Sequence, residues 1–246
     1  MKPYYQDDAV TIYHGNSLEI APTLTGIDCV LTDPPYGVRA RTGGKGKTRK
    51  HLHDYGVHND SEDFVRDSVV PLLSKFIGKC PVVVTPGSKN VWFFPRPETL
   101  GGFYHPAASG VTHWGFLDFD PILFYGRDPR VGKTITPCTY RLTEAPPRNG
   151  HPCPRPLSAW SWLVQKVSIE GQTILDPFAG SGTTGRCAKD LWRKAVLIEI
   201  EERYCEIAAR RMAQEVLDFG GGAVAPTHNG KVHARPTTEE NSDAKR

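Results

Sequence analysis

Thr173-Ile174-Leu175-Asp176-Pro177-Phe178-Ala179-Gly180-Ser181-Gly182-Thr183-Thr184-Gly185 is the stretch on which the fold of this chain turns. Thr173 to Leu175 reads as a strand, Asp176 stands at its exit, and the glycine-rich turn leads into a helix that runs to about Trp192. Ala195-Val196-Leu197-Ile198 is the next strand and ends in Glu199. Strand, glycine turn, helix, strand and acid make a βαβ unit of an open α/β sheet. Gly180-x-Gly182-x-x-Gly185 matches a dinucleotide fingerprint, with Glu199 seventeen residues past Gly182. Glycines let the backbone approach a ligand, and an acid at the next strand exit accepts hydrogen bonds from ribose hydroxyls. Any adenosine-containing cofactor could use this arrangement. Asp176-Pro177-Phe178 puts a carboxylate and a ring where a nicotinamide-dinucleotide turn normally needs small residues, which suits a ligand with an amino acid end.

Upstream, Trp160, Leu163, Val164 and Val167 fall at i, i+3, i+4 and i+7 and predict a helix with one buried face. Downstream, Glu202 to Leu217 has the composition of a long helix, and residues 220–246 read as a disordered tail. Near the start, Val10 to Tyr13 predicts a strand with Asn16 at its exit, followed by a short helix interrupted by Pro22. Cys29-Val30-Leu31 predicts a buried strand that leaves through Thr32-Asp33-Pro34-Pro35-Tyr36-Gly37. Pro34 and Pro35 each fix φ and lack an N–H, so the carbonyls of Asp33 and Pro34 are held in one direction. Asp60-Ser61-Glu62 starts a helix that Pro71 must kink or split, and Pro81 to Thr85 is a strand stopped by Pro86-Gly87. From there to about Gly150 periodicity fades into interleaved aromatics, prolines and glycines, with Pro121 to Tyr125 as one further strand.

A length of 246 residues suits a single main domain over 1–219, with about 96–150 as an irregular insertion. The formal charge of +3 is too mild to identify a partner, but its distribution is uneven. Arg39, Arg41, Lys45, Lys47, Arg49 and Lys50 fall in one glycine-rich run without an acid, directly after the Asp33 turn. Such a run is ordinarily a solvated loop; beside a reactive turn it suits phosphate contact. The six cysteines form no CxxC pair and suggest reduced thiols in a cytoplasm, and no set of residues has metal-ligand spacing. No secretory signal or membrane-length apolar run stands out.

With the turn at Asp33 placed first and the glycine-rich turn late, the chain resembles the β group of S-adenosylmethionine-dependent DNA amino-methyltransferases. His151-Pro152-Cys153-Pro154-Arg155-Pro156 is similar to the His-Pro-x-x-Lys-Pro element that precedes the glycine-rich strand in that group. Arg155 stands where the family usually has Lys, and Asn16 where it often has Asp. The resemblance implies a doubly wound, Rossmann-like, mostly parallel sheet in circularly permuted order, with the two turns side by side at the switch point. It implies that Asp176 holds the amino acid end of S-adenosylmethionine and that Phe178, Gly180 and Gly182 shape its cradle. Glu199 would then grip the ribose and His151 and Pro152 close over the methionine portion, with Asn16, Pro177, Ser181 and Thr183 around them.

For catalysis, Asp33 and the Pro34 carbonyl are expected to take one amine hydrogen each, localising a lone pair otherwise delocalised into the base. Tyr36 is expected to stack on the flipped base, with Pro35 keeping the turn rigid. Asp at the first position of the motif favours adenine N6; cytosine N4 enzymes of this kind more often carry Ser there. Double-stranded DNA is the implied substrate, and the resemblance leaves room for a homodimer and for a restriction partner. From other classes, a nicotinamide-dependent oxidoreductase accounts for the glycines and leaves the Asp33 turn unused. A silent nucleic-acid-binding protein accounts for the basic runs alone.

Overall fold

The computed structural model describes residues 1–37, 61–106, 110–130, 136–143 and 155–214. In chain order its elements are β1 (Tyr5–Gln6), β2 (Val10–His14), α1 (Ser17–Ile20), β3 (Cys29–Thr32), α2 (Glu62–Phe64), α3 (Val70–Ser74) and β4 (Val82–Val84). There follow β5 (Thr99–Tyr104), β6 (Gly110–Thr112), β7 (Gly115–Leu117), β8 (Phe119–Tyr125), β9 (Thr139–Arg141) and α4 (Leu157–Val167). The last elements are β10 (Thr173–Asp176), α5 (Thr183–Asp190), β11 (Lys194–Glu199) and α6 (Glu202–Met212).

Nine of these strands form one sheet in the order β1-β2-β11-β10-β3-β4-β8-β5-β9. From β2 to β4 every neighbouring pair is parallel, while β8 is antiparallel to both β4 and β5. β10, late in the chain, lies directly beside β3, with Ile174 opposite Cys29 and Leu175 opposite Val30. That adjacency brings the exits of β3 and β10 to one edge, as the permuted reading expects.

Alternation along these strands feeds two cores. Ile12, Cys29, Leu31, Val83, Ile174 and Leu197 pack with Trp160, Leu163 and Val164 of α4, Cys187 and Ala188 of α5, and Ala208 and Met212 of α6. Val30, Val82, Val84, Leu123, Leu175 and Ile198 face the other way, onto Ile20, Val65, Val69, Leu72 and Leu73. A sheet covered by helices on both faces needs strands without a polar face, and β3 is buried at all four positions.

Local expectations change at several points, and α6 ends at Met212, short of the expected Leu217. The expected disruption at Pro71 takes the form of a π-turn over Val65–Val69 between α2 and α3, which absorbs the break in the i→i−4 ladder. α5 stops at Asp190, short of Trp192, which adopts a left-handed φ of 61°. The aperiodic stretch before Gly150 contributes β5, β8 and β9 to the main sheet. β8 contains the expected Pro121 to Tyr125 strand and starts two residues earlier, whereas glycine had disguised β5, whose Gly102 pairs with Pro121 of β8. A Cβ on Gly101 would lie 2.0 Å from the carbonyl oxygen of Cys138, and one on Gly102 would lie 2.1 Å from the Phe119 ring. Glycine is therefore what allows β9 and Phe119 to close on this strand. Among the described residues no helix is long and apolar enough to cross a membrane. The basic run Arg39 to Lys50, the expected tail over 220–246 and the boundary at 219 fall outside the described residues.

Candidate active site

Two aspartates, each followed by proline, leave adjacent strands at the same edge. Asp176 at the end of β10 is buried, and its oxygens are met by hydroxyls: Thr32 Oγ1 donates to Oδ1 at 2.7 Å and Thr184 Oγ1 to Oδ2 at 2.5 Å. The backbone N–H of Phe178 adds a third donor at 3.1 Å. Trp160 Nε1 donates to Thr184 Oγ1 at 2.8 Å, which ties α4 into this chain. Burial pushes the Asp176 carboxyl up to about 6, against the opposing pull of those hydrogen bonds.

Asp33 meets a different environment. Arg155 holds it with both prongs, Nε to Oδ2 and Nη2 to Oδ1, each at 2.7 Å. Thr85 Oγ1 donates to Oδ1 at 2.6 Å and the Tyr36 hydroxyl to the same oxygen at 2.5 Å. Arg155 Nη2 also donates to the Tyr36 hydroxyl. Burial and the neighbouring Asp33 charge hold the Tyr36 phenol well above its ordinary range. Asn90, in a 3-10 turn after β4, donates through Nδ2 to the carbonyls of Tyr36 at 2.9 Å and Pro86 at 3.1 Å. One side of the Tyr36 ring lies on Gly87, where a Cβ would stand 3.2 Å from the ring carbons. Gly37 threads past the start of α2 with φ 68°, and a Cβ there would lie 2.6 Å from the backbone nitrogen of Glu62. The turn is thus pinned at its carboxylate, its ring, its carbonyl and its far end.

At the glycine turn, Gly180 and Gly182 take φ values of 51° and 75°, a region that residues with a Cβ seldom enter. The buried Glu199 carboxylate accepts from Gly180 N at 2.8 Å and from Glu201 N at 2.9 Å. Burial raises the Glu199 carboxyl above its ordinary value. A Cβ on Gly185 would lie 2.7 Å from Leu197 Cδ1, so the third glycine serves helix-on-strand packing.

A family model described as DNA methylase matches residues 85–210. Type II methyltransferase M2.LlaDCHI of Lactococcus lactis subsp. cremoris is 42% identical over 251 aligned residues, covering 86% of this chain and 92% of its own. The chain belongs to the N6/N4 DNA methylases. These are the S-adenosylmethionine-dependent DNA amino-methyltransferases. Type II methyltransferase M.ScaI of Streptomyces caespitosus is 26% identical, covering 87% of this chain and 84% of its own. Among solved structures, PvuII DNA methyltransferase (cytosine-N4-specific) superposes with a TM-score of 0.62 at 17% identity, covering 88% of this chain and 91% of its own. The M1.HpyAVI complex with its cofactor gives 0.59 at 18%, covering 83% and 100%. Both likenesses concern the fold, which is the Rossmann-like methyltransferase sheet.

Of the residues singled out in this methylase, Asp33, Pro34, Pro35 and Tyr36 form one turn beside the Asp176 to Thr183 turn, and Glu199 closes the latter from β11. Phe178 is half-buried against the α3 side of the sheet, while Pro177, Ser181 and Thr183 are buried. Asn16 serves as the N-cap of α1: its Oδ1 accepts from Leu18 N at 3.0 Å and its Nδ2 donates to Glu19 at 3.0 Å. His151 and Pro152 lie outside the described residues. Sequence reasoning missed Thr85 and Asn90 and did not pair Arg155 with Asp33. A hydroxyl directly after the strand next to β3 was a usable signal for Thr85; the Arg155 pairing spans 122 positions and had none.

Proposed function

We infer that this methylase transfers the methyl group to the exocyclic N6 amine of adenine in a base flipped out of double-stranded DNA. The amine chemistry of this reading is carried by the donors around Asp33, and the choice of adenine by an aspartate, rather than a serine, at that position. Asp33 Oδ1 already meets three donors, more than its two lone pairs serve, whereas among the described residues Oδ2 accepts from Arg155 alone. Oδ2 therefore accepts a hydrogen bond from one amine hydrogen and the Pro34 carbonyl from the other, which localises the nitrogen lone pair. Orientation and charge placement supply most of the acceleration. Tyr36, with Gly87 against its ring and the Arg155 guanidinium 5.6 Å from its ring centroid, is the stacking platform for the base in this reading.

The glycine turn fits the cofactor. Left-handed Gly180 keeps the turn free of a side chain, Gly182 lets the turn close on α6, where a Cβ would lie 2.8 Å from Ala208 Cβ, and two carboxyls at neighbouring strand exits suit a cationic ligand. Bound S-adenosylmethionine supplies an electrophilic methyl group. Asp176 orients the amino acid end, Phe178 packs beside it, and Glu199 both fixes Gly180 and presents its remaining lone pairs to the ribose. Asn16, Pro177, Ser181 and Thr183 shape the surroundings, with His151 and Pro152 over the methionine portion.

Arg39, Arg41, Lys45, Lys47, Arg49 and Lys50 contact phosphates, and residues 96–150 take part in target recognition. Reversing the charges at Lys45, Lys47, Arg49 and Lys50 should flatten the salt dependence of DNA binding; an unchanged slope returns that run to solvent. The deciding experiment is nucleoside mass spectrometry of duplex DNA incubated with the protein and S-adenosylmethionine. N6-methyladenine is expected; N4-methylcytosine would move the target amine to cytosine.

A further inference from the structure

Above the active-site edge stands an arm whose side chains the reaction does not use. Register fixes where its root lies. Thr32 is level with Val84, and Val84 with Leu123 of the antiparallel β8. Phe119, four residues earlier on β8, therefore lies roughly 14 Å beyond the level of Thr32, on the side where Asp33 leaves its strand. β8 is two strands from β3, about 10 Å to the side. Past the Tyr104–Phe119 pair, His105 N donates to the Asp118 carbonyl at 2.7 Å, and β6 and β7 pair as a hairpin turning at Thr112-His113-Trp114-Gly115. The tip is four residues farther on, a contour reach of about 25 Å from the level of the reacting turn.

Trp114 at that tip is 99% exposed, and Phe116 and Val111 beside it are 78% and 77% exposed. Arg141, exposed and opposite Tyr104 in β9, adds a cation at the root of the arm. A two-stranded ribbon has the width of a DNA groove. Three side chains, at roughly 150–250 Å² for each aromatic, fall short of the roughly 800 Å² per partner of a stable protein interface. A nucleobase stack needs only one flat ring.

We propose that the β6–β7 hairpin enters the duplex and that Trp114 stacks into the gap beside the target base, acting as a wedge that favours the extrahelical base. This rests on the reading of the chain as a DNA base methylase and names a residue for it. An inserted ring offsets the unstacking that flipping requires. Trp114 is a positioning residue: it acts on the duplex, and Asp33 on the amine.

The test compares kcat/KM on a matched duplex with that on a duplex mismatched at the target base, where flipping costs less. Trp114→Ala should lower the matched-duplex value roughly tenfold or more and return close to wild type on the mismatch. Trp114→Phe should retain most activity, and Trp192→Ala, at the opposite edge of the sheet, should change nothing. The fluorescence of 2-aminopurine at the target position should rise on binding of the wild type and not of Trp114→Ala. Equal loss on both duplexes, no loss on either, or a concentration-dependent dimer that Trp114→Ala abolishes would each overturn the wedge. Duplex affinity by anisotropy separates the two readings: wild type that binds and flips DNA without methylating it sinks the activity and leaves the wedge standing.

Discussion

Asp33 and Asp176 occupy equivalent places, each ending a buried strand and each followed by proline, yet the fold treats their charges in opposite ways. Asp33 is about a fifth exposed and is matched by the Arg155 guanidinium. Asp176 is buried among hydroxyls and an N–H, with no cation paired to it among the described residues. Thr32 joins them: its hydroxyl donates to Asp176, and its carbonyl accepts from the N–H of Thr85, whose hydroxyl holds Asp33. Asp33 is given a planar fork that fixes the direction of its carboxylate. Asp176 is left without a counter-charge among the described residues, and burial raises its carboxyl.

Asp33→Ala strikes this contrast hardest. Methyl transfer should fall by ~10³ or more, while calorimetry should find S-adenosylmethionine affinity nearly intact; transfer at the wild-type rate would remove Asp33 from the reaction. Arg155→Met should come next, lowering kcat by roughly 10–100-fold through a misdirected Asp33 carboxylate, with Arg155→Lys restoring only part because an ammonium lacks the planar fork. An unchanged kcat would mean that Thr85 and Tyr36 suffice. Glu199→Ala should weaken cofactor binding by roughly tenfold, the worth of about one charge-assisted hydrogen bond, and leave duplex affinity alone. Unchanged calorimetric affinity would confine Glu199 to bracing Gly180.

The smallest effect is on stability. Between about pH 4 and pH 6 the folded chain keeps a proton on Asp176 that the unfolded chain has lost. Asp176 therefore lowers stability as pH rises through that window, by roughly 2–3 kcal/mol once complete. Burial of Glu199 acts in the same direction. Asp7, held down to about 2 by Lys189 and by the N–H groups of Ala9 and Val10, acts oppositely; its contribution is lost only as pH falls below about 4. Urea midpoints of Asp176→Asn should be flatter than wild type between pH 4.5 and 7. A parallel pair of curves would show that Asp176 is already ionised.

The two turns were legible because chemistry and strand exit coincide in both: an apolar run, an aspartate, then a residue that cannot continue the strand. Trp160, Leu163, Val164 and Val167 were legible for the same local reason, and all four are buried. β5 was not, since Gly101 and Gly102 give it no periodic pattern, and their fit shows only once Cys138 and Phe119 are seen pressing on them. Pro71 marked a disruption correctly but not its form, because a helix can widen around a missing N–H as well as break there. Asn16 shows the reverse limit: a polar residue at a strand exit suits a ligand and a helix cap equally, and here the side chain caps. Arg155 was visible as a departure from the family pattern, but its partner is a matter of tertiary geometry.

Gly37 ties the Asp33 turn to a helix start far along the chain. A Cβ at position 37 would stand 2.6 Å from the backbone nitrogen of Glu62 and 2.8 Å from the carbonyl carbon of Ser61, so two segments distant in sequence brace each other backbone to backbone. Any side chain there would push them apart and carry the neighbouring Tyr36 along, which makes the smallest residue of the turn the one that sets its position.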